Sequence, residues 1–399
     1  MGCYRMKYYR WADKGEGRKI GKIGNYCLYE RVVTEESCEE TNVSPKVERY
    51  GTFKFVYGPS AGGLLESVKF DITTDGERIF DINGVPYKIR KIKVAGLSWE
   101  DALLRIERIN APFSASHAIA FLLAIEDAMN IEPDYQAQLK RIALLELERI
   151  RNHLFVIARL TEAASLSVPT YHLLYLTERI NRLIGKLCGH RYFFGVNYIN
   201  RVDCNFEKLF EILDIVKEFR AIFEGLLESR IFIDRLQGNG VLRDKDSIGP
   251  AARAAGLDYD ARLELNILPY KEIGFKIVKA EDADAFGRFL VRGYEIIESS
   301  KILIELTDLI KDGNNTSTKG YEATNHEGEG LARVESPSGD LAYYVKVKEG
   351  KVASAQLLSP SSVNIKSFMK SVKGTIFTDF QFNWESFGIW ISEIGVILE

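Results

Sequence analysis

The apolar positions from Gly51 onward first follow a period of two. Thr52-Phe53-Lys54-Phe55-Val56-Tyr57 alternates up to the breaker Gly58-Pro59, and Val68-Lys69-Phe70-Asp71-Ile72 alternates again. A Thr74-Asp75-Gly76 turn leads to Arg78–Ile82. Asn83-Gly84 then reads as a hairpin turn before Tyr87–Ile92. These segments predict a small antiparallel sheet over 51–97. From Ser98 the period becomes helical, with Glu100 and Asp101 in the expected first turn. Residues 98–130 read as helix, ended or kinked near 111 by Pro112. Residues 134–165 read as one long helix with Leu144, Leu147, Ile150, Leu154 and Ile157 on a single face. Residues 170–190, 205–236 and 279–312 read as further amphipathic helices, and 237–278 as a linker with turns at Gly238-Asn239-Gly240 and Gly249-Pro250. From about 330 the pattern returns to strands, at 341–347 and 352–358.

The order sheet, helices, sheet predicts an α+β fold: a core bundle of long helices flanked by small antiparallel sheets from the N- and C-terminal parts. Residues 1–50 are polar and read as an N-terminal extension that packs on the body or on a partner. Residues 51–399 read as one domain, with a β part over 51–97, a helical core over 98–312 and a C-terminal β part over 330–399.

Composition narrows the function classes. The chain has 399 residues, 46% hydrophobic and 27% charged, which suits a globular protein with a real core. The net charge of −3 gives no global field for nucleic acid. Arg5, Lys7, Arg10, Lys14, Arg18, Lys19 and Lys22 make the N-terminus locally basic. This stretch reads as a solvated tail, or else as a contact to an acidic partner or membrane surface. No apolar run reaches the roughly 18 residues a membrane span needs, and no apolar signal-peptide core follows Met1. Membrane association is therefore expected only through partners. The five cysteines, Cys3, Cys27, Cys38, Cys188 and Cys204, include no Cys-x-x-Cys pair. They suggest a reducing compartment, without a disulfide framework or a thiolate metal cage.

Several blocks share one resemblance. They are Leu145–Leu154 on the long helix, Thr177-Glu178-Arg179, the Gly238–Leu242 and Ile248–Gly256 region running on to Arg262, Gly330–Leu341, and Leu358–Asn364. In order and spacing they resemble the large subunit of nickel-iron hydrogenases and the related 49 kDa subunit of respiratory complex I. The branch they resemble most is that of membrane-bound, energy-converting hydrogenases and their relatives. The segments Glu107–His117 and Ser386–Glu393 resemble that family's two cysteine motifs, but the cysteines are absent.

A nickel-iron centre in such a frame needs four thiolates. The resemblance puts the ligand positions at Asn110, Phe113, Trp390 and Glu393, and the arginine above the metal at Ser338. Quinone recognition in the complex I branch would place histidines at Ala61 and Leu65, a tyrosine at Ala111 and an aspartate at Ala163. Both signature chemistries are thus expected to be missing, and no metal is expected. Tyr171 and His172 are candidate donors for a remodelled pocket. Glu66 occupies the position of a proton-carrying carboxylate, so it reads as a relay or as an ordinary loop carboxylate. His117 reads as a relay member or as a structural histidine bonded to backbone, and Arg108 as a contact to a neighbouring iron-sulfur subunit or an ion pair with Glu107 or another helix. His153 reads as packing, and His190 and His326 lack partners at ligand spacing.

The resemblance implies a hydrogenase-like subunit of a membrane-associated, complex-I-related oxidoreductase, acting in electron transfer, proton coupling or as scaffold. The alternative is reduction of a quinone or other acceptor in a remodelled pocket. It implies no cofactor in this chain and an iron-sulfur cluster in a partner small subunit. Further partners would be a 30 kDa-like subunit and membrane antiporter-like subunits, with the chain peripheral on the cytoplasmic face of the cell membrane.

Overall fold

The computed structural model describes residues 6–12, 14–23, 26–33, 50–242, 247–264, 267–311 and 327–399. The pattern after Pro133 forms α3 (Tyr135–Ala163), whose N-cap Asp134 accepts the Ala137 amide. Before it, the expected break at Pro112 is a short 3₁₀ turn, Ala111–Phe113, between α1 (Trp99–Ile106) and α2 (Ser114–Ala128). Almost every residue of α2 is buried, so this helix forms the centre of the molecule. It lies between α3 and a three-stranded antiparallel sheet. α4 (Ser167–Cys188) returns along α3 and ends at Gly189 in the left-handed conformation. The two-residue strands β8 (Asn197–Tyr198) and β9 (Arg201–Val202) lead on to α5 (Ile212–Glu228), α6 (Arg230–Leu236) and α9 (Ala285–Leu309). The stretch read as a linker carries the short helices α7 (Pro250–Ala254) and α8 (Ala261–Glu264).

The N-terminal part contains more structure than the polar pattern suggested. β1 (Met6–Ala12), β2 (Arg18–Ile23) and β3 (Tyr26–Val33) form an antiparallel sheet in the order β1-β3-β2. It docks on the hairpin of β10 (Gly328–Ser336) and β11 (Gly339–Lys348). Arg18 bridges Glu30 and Glu329 at 3.1 and 2.7 Å, and Lys346 reaches Glu329 at 2.9 Å. The solvated-tail reading therefore fails for Arg18.

A second sheet holds β4 (Phe53–Tyr57), β5 (Val68–Thr74) and β6 (Ile79–Pro86) in that order. The Asp75-Gly76 turn is present, with Asp75 accepting the Glu77 and Arg78 amides. The expected Asn83-Gly84 turn is not. β6 runs straight through it, pairing Asp71 with Asn83 and Phe70 with Gly84. A Cβ at Gly84 would lie 2.5 Å from the Phe70 ring, so this glycine makes room for an aromatic side chain.

The C-terminal part is only half sheet. β12 (Lys351–Leu358) completes the β10-β11-β12 sheet, and helices α10 (Pro360–Ser371), α11 (Phe380–Phe387) and α12 (Ile391–Ile394) follow. α10 has Ser359 as N-cap and Pro360 in its first turn. β10 approaches α2 closely, because a Cβ at Gly330 would lie 2.0 Å from the Ala124 carbonyl oxygen. The final strand β13 (Val396–Leu398) pairs parallel with β7 (Arg90–Ile92), bringing the end of the chain beside its first β part.

The cysteines also depart from expectation. Cys188 and Cys204 form a disulfide, while Cys27 is free and buried. Cys3 and Cys38 lie outside the described residues. Among the described residues no helix is long and apolar enough to cross a membrane.

Candidate functional site

The two segments read as emptied cysteine motifs are far apart in sequence and meet in space. α12 and β13 carry the second segment back to the 3₁₀ turn at the start of α2. Arg90 joins them, donating to the Ile109 carbonyl at 2.5 Å and the Ser392 carbonyl at 2.9 Å. All four positions assigned to ligands converge. Asn110 Nδ2 donates to Glu393 Oε1 at 3.3 Å, and the Phe113 and Trp390 rings meet edge to face at 6.1 Å. Phe155 of α3 also stacks on Trp390, at 6.0 Å. Phe113 is fully buried. At the four positions that the resemblance assigns to thiolates stand an amide, two rings and one carboxylate. The carboxylate is already engaged: Glu393 Oε1 also meets His117 Nε2 at 3.2 Å, and Oε2 accepts from Ser361 Oγ at 2.6 Å. These residues do not fit a nickel-iron centre. Among the described residues no group of three or more histidine, cysteine or acidic side chains could hold a metal ion.

His117 is buried at the start of α2 and bonds side chains rather than backbone. Its Nε2 faces Glu393, and its Nδ1 lies 2.8 Å from the Tyr343 hydroxyl. Burial, with the Glu393 charge adding to it, pushes the Tyr343 phenol well above its ordinary range. Ser338, read from the resemblance as standing in place of an arginine, donates to the Gly388 carbonyl at 2.6 Å. Arg292 of α9 also reaches this corner, donating to the Phe387 carbonyl at 2.7 Å.

Glu66 is half-buried and caps α12, accepting the Ser392 amide at 3.1 Å and also the Ile391 amide. Burial raises its carboxyl above the ordinary range, against the pull of these hydrogen bonds. With Arg159, Glu385 and Trp390 it lines a cleft whose cavity volume is about 30 Å³. Such a volume holds about one or two waters. Glu385 pairs with Arg159 at 2.9 Å, yet burial and the Glu162 charge bring its carboxyl up to about 7. Arg159 also donates to the Gly63 carbonyl at 2.9 Å, holding the Gly58–Glu66 loop on α3.

Arg108 is half-exposed, paired with Glu107 and placed over the Phe194 ring at 4.7 Å. His172 is exposed and faces Glu218 at 3.4 Å, on the outer side of α4 with the exposed Tyr171. The fold brings neither to the cleft. His190 accepts the Tyr192 amide, and His326 lies outside the described residues.

Sequence reasoning missed a buried charge network behind the plugged site. Arg253 contacts Asp260, Glu295 and Glu335 at 3.0, 2.7 and 2.7 Å. Arg262 meets Asp260 at 2.7 Å and reaches Glu146, and Arg149 joins Glu146 at 3.1 Å. Burial alone would raise Glu295, but Arg253, His153 and Arg262 hold it well below the carboxylate range. Glu335, raised by burial and by Asp260, stands at about 7. His153, read as packing, belongs to this network. Its Nε2–H donates to Glu295 at 2.7 Å and its Nδ1 accepts from Arg292, while burial lowers its pKa to about 3. The signal in the sequence was the density of arginine and glutamate on apolar helices. An amphipathic pattern by itself gives such residues to the solvent face, whereas Arg149 is fully buried here.

The comparisons with known proteins agree with this frame. Residues 169–395 match the family described as "Respiratory-chain NADH dehydrogenase, 49 Kd subunit". A subunit of the NADH-quinone oxidoreductase of Geobacter sulfurreducens is 28% identical over 80% of this chain and 92% of its own length. The alpha subunit of the membrane-bound hydrogenase of Pyrococcus furiosus is 26% identical over 82% and 83%. A chain of the membrane-bound sulfane sulfur reductase, an archaeal respiratory membrane complex, superposes with a TM-score of 0.78. It covers 86% of this chain and 98% of its own at 22% identity, which shows a shared fold. The chain therefore belongs to the family of the 49 Kd subunit of the respiratory-chain NADH dehydrogenase.

Proposed function

We propose that this chain is the hydrogenase-like subunit of a membrane-associated, complex-I-related oxidoreductase, and that it serves as scaffold and coupling element without a nickel-iron site of its own. One observation carries this reading: the four would-be ligand positions meet and are filled by the Asn110–Glu393 hydrogen bond and by the packed rings of Phe113, Trp390 and Phe155. In this reading the packed rings take the space a bimetallic centre would need, and the neighbouring cleft of about 30 Å³ is small for a quinone ring. The partners in this reading are an iron-sulfur small subunit carrying the cluster, a 30 kDa-like subunit and antiporter-like membrane subunits. The chain would sit peripherally on the cytoplasmic face of the membrane.

A second reading, proton relay to an acceptor in a remodelled pocket, rests on Glu66 and Glu385. Both carboxyls line the same cleft, and burial raises both. The two readings separate in the intact complex carrying Glu66→Gln and Glu385→Gln together. A scaffold keeps acceptor reduction and ion transport within about twofold of wild type. A relay loses roughly 10²-fold or more, the usual scale for a removed acid-base group.

A further inference from the structure

Cys188 and Cys204 lie outside the site described above. Cys188 is the last residue of α4, and Cys204 follows β9, so their bond closes the loop 189–203 onto the helix end. That loop grips the first emptied motif at several points. The Gly195 amide donates to Glu107 at 2.9 Å, and the Tyr192 carbonyl accepts from Ser114. The Arg191 carbonyl accepts from Arg151 of α3 at 3.1 Å. Arg151 in turn donates to the Pro112 carbonyl, and Arg108 lies over the Phe194 ring. The two residues differ in burial. Cys188 is buried, whereas half-buried Cys204 lines an open groove of about 420 Å³ with Arg201, Asp203 and Asn205.

We propose that Cys188 and Cys204 form a dithiol–disulfide exchange site, entered by a small dithiol through the groove at Cys204, and that opening it loosens the hold of loop 189–203 on the Glu107–Ser114 segment. The incoming thiolate attacks the Cys204 sulfur, the bond between the two cysteines breaks, and Cys188 leaves as a thiolate that takes a proton. The second thiol of the reductant, as its thiolate, then displaces Cys204 from the mixed disulfide. Two electrons and two protons pass to the protein, and the reductant departs as a disulfide. Backbone contacts such as the Asn205 amide to the Leu187 carbonyl, at 2.7 Å, keep the loop near the helix after opening. The expected result is local loosening rather than unfolding.

The test uses the full chain, isolated without reductant and then treated with dithiothreitol under native conditions. Alkylation and peptide mass analysis follow the thiols, and amide hydrogen exchange follows the loop. The proposal expects Cys188 and Cys204 to change together from blocked to alkylated, with buried Cys27 unchanged. Exchange at 190–195 and 107–114 should rise at least tenfold, while α9 stays protected. The double variant Cys188→Ser with Cys204→Ser should show the same fast exchange without reductant. Alkylation of both residues before any reductant is added, or resistance to reduction short of denaturation, overturns the exchange site. Reduction that leaves exchange at 107–114 unchanged overturns the coupling.

Discussion

Phe113→Ala is the perturbation that probes the plug most directly. Phe113 has no solvent exposure and packs edge to face against Trp390, on which Phe155 also stacks. Truncation removes the ring and leaves a void between elements from both ends of the chain. For a fully buried phenylalanine this costs about 3–5 kcal/mol. At about 2.1 cal/mol/K of unfolding entropy per residue the chain carries roughly 0.8 kcal/mol/K, so Tm should fall by roughly 4–6 °C. Phe113→Leu keeps most of the volume and should cost less than about 1.5 kcal/mol, a shift of at most roughly 2 °C. Differential scanning calorimetry of the isolated chain measures both. A Tm for Phe113→Ala within about 1 °C of wild type would refute the reasoning, because a ring that lines open space leaves no unfilled void.

Three further outcomes follow from the same contacts. Arg253→Met removes the cation that faces Asp260, Glu295 and Glu335, and the stranded carboxylates should cost about 3–5 kcal/mol, read as a lower urea midpoint. A wild-type midpoint would show the network to be hydrated rather than buried. Glu385 gives a pH dependence of defined sign. Its carboxyl is raised from 4.5 unfolded to about 7 folded, so the folded chain keeps a proton that the unfolded chain loses, and this group makes stability fall as pH rises through that window. Glu385→Gln should flatten the fall in Tm between about pH 5 and about pH 8, and identical slopes in both proteins would contradict the assignment. His153 has the opposite sign: with its pKa lowered to about 3 from 6.5, stability should fall as pH drops through that window, and His153→Gln should abolish this component of the acid-unfolding curve.

The architecture was legible where local pattern and burial agreed. The helical period gave α3 and α4 to within about three residues and α9 to within about six, because each helix is long enough for that period to repeat several times. The motif registers gave a convergence that no periodicity encodes: Asn110 beside Glu393 and Phe113 beside Trp390. Other features were hidden by tertiary context. Asn83-Gly84 has hairpin chemistry, but the Phe70 ring needs the space and the strand continues. α10 carried a Ser359 cap and Pro360, yet the strand-like run before it set the reading of the whole C-terminal part. The buried pairs joining α3 to α9 were illegible because their partners lie on another element far away in sequence. Arg90, which ties the two emptied motifs through backbone carbonyls, leaves no residue-type signature on its partners.

The central claim of the proposed function is that Asn110, Phe113, Trp390 and Glu393 fill the position where a hydrogenase-like subunit would hold its metals, and that the chain loads no nickel. Elemental analysis of the intact complex, with protein quantified by amino-acid analysis, tests this directly. The account predicts nickel far below one atom per copy of this chain, with iron matching only the clusters of partner subunits. One nickel per copy, retained through gel filtration and lost on Glu393→Gln, would contradict it.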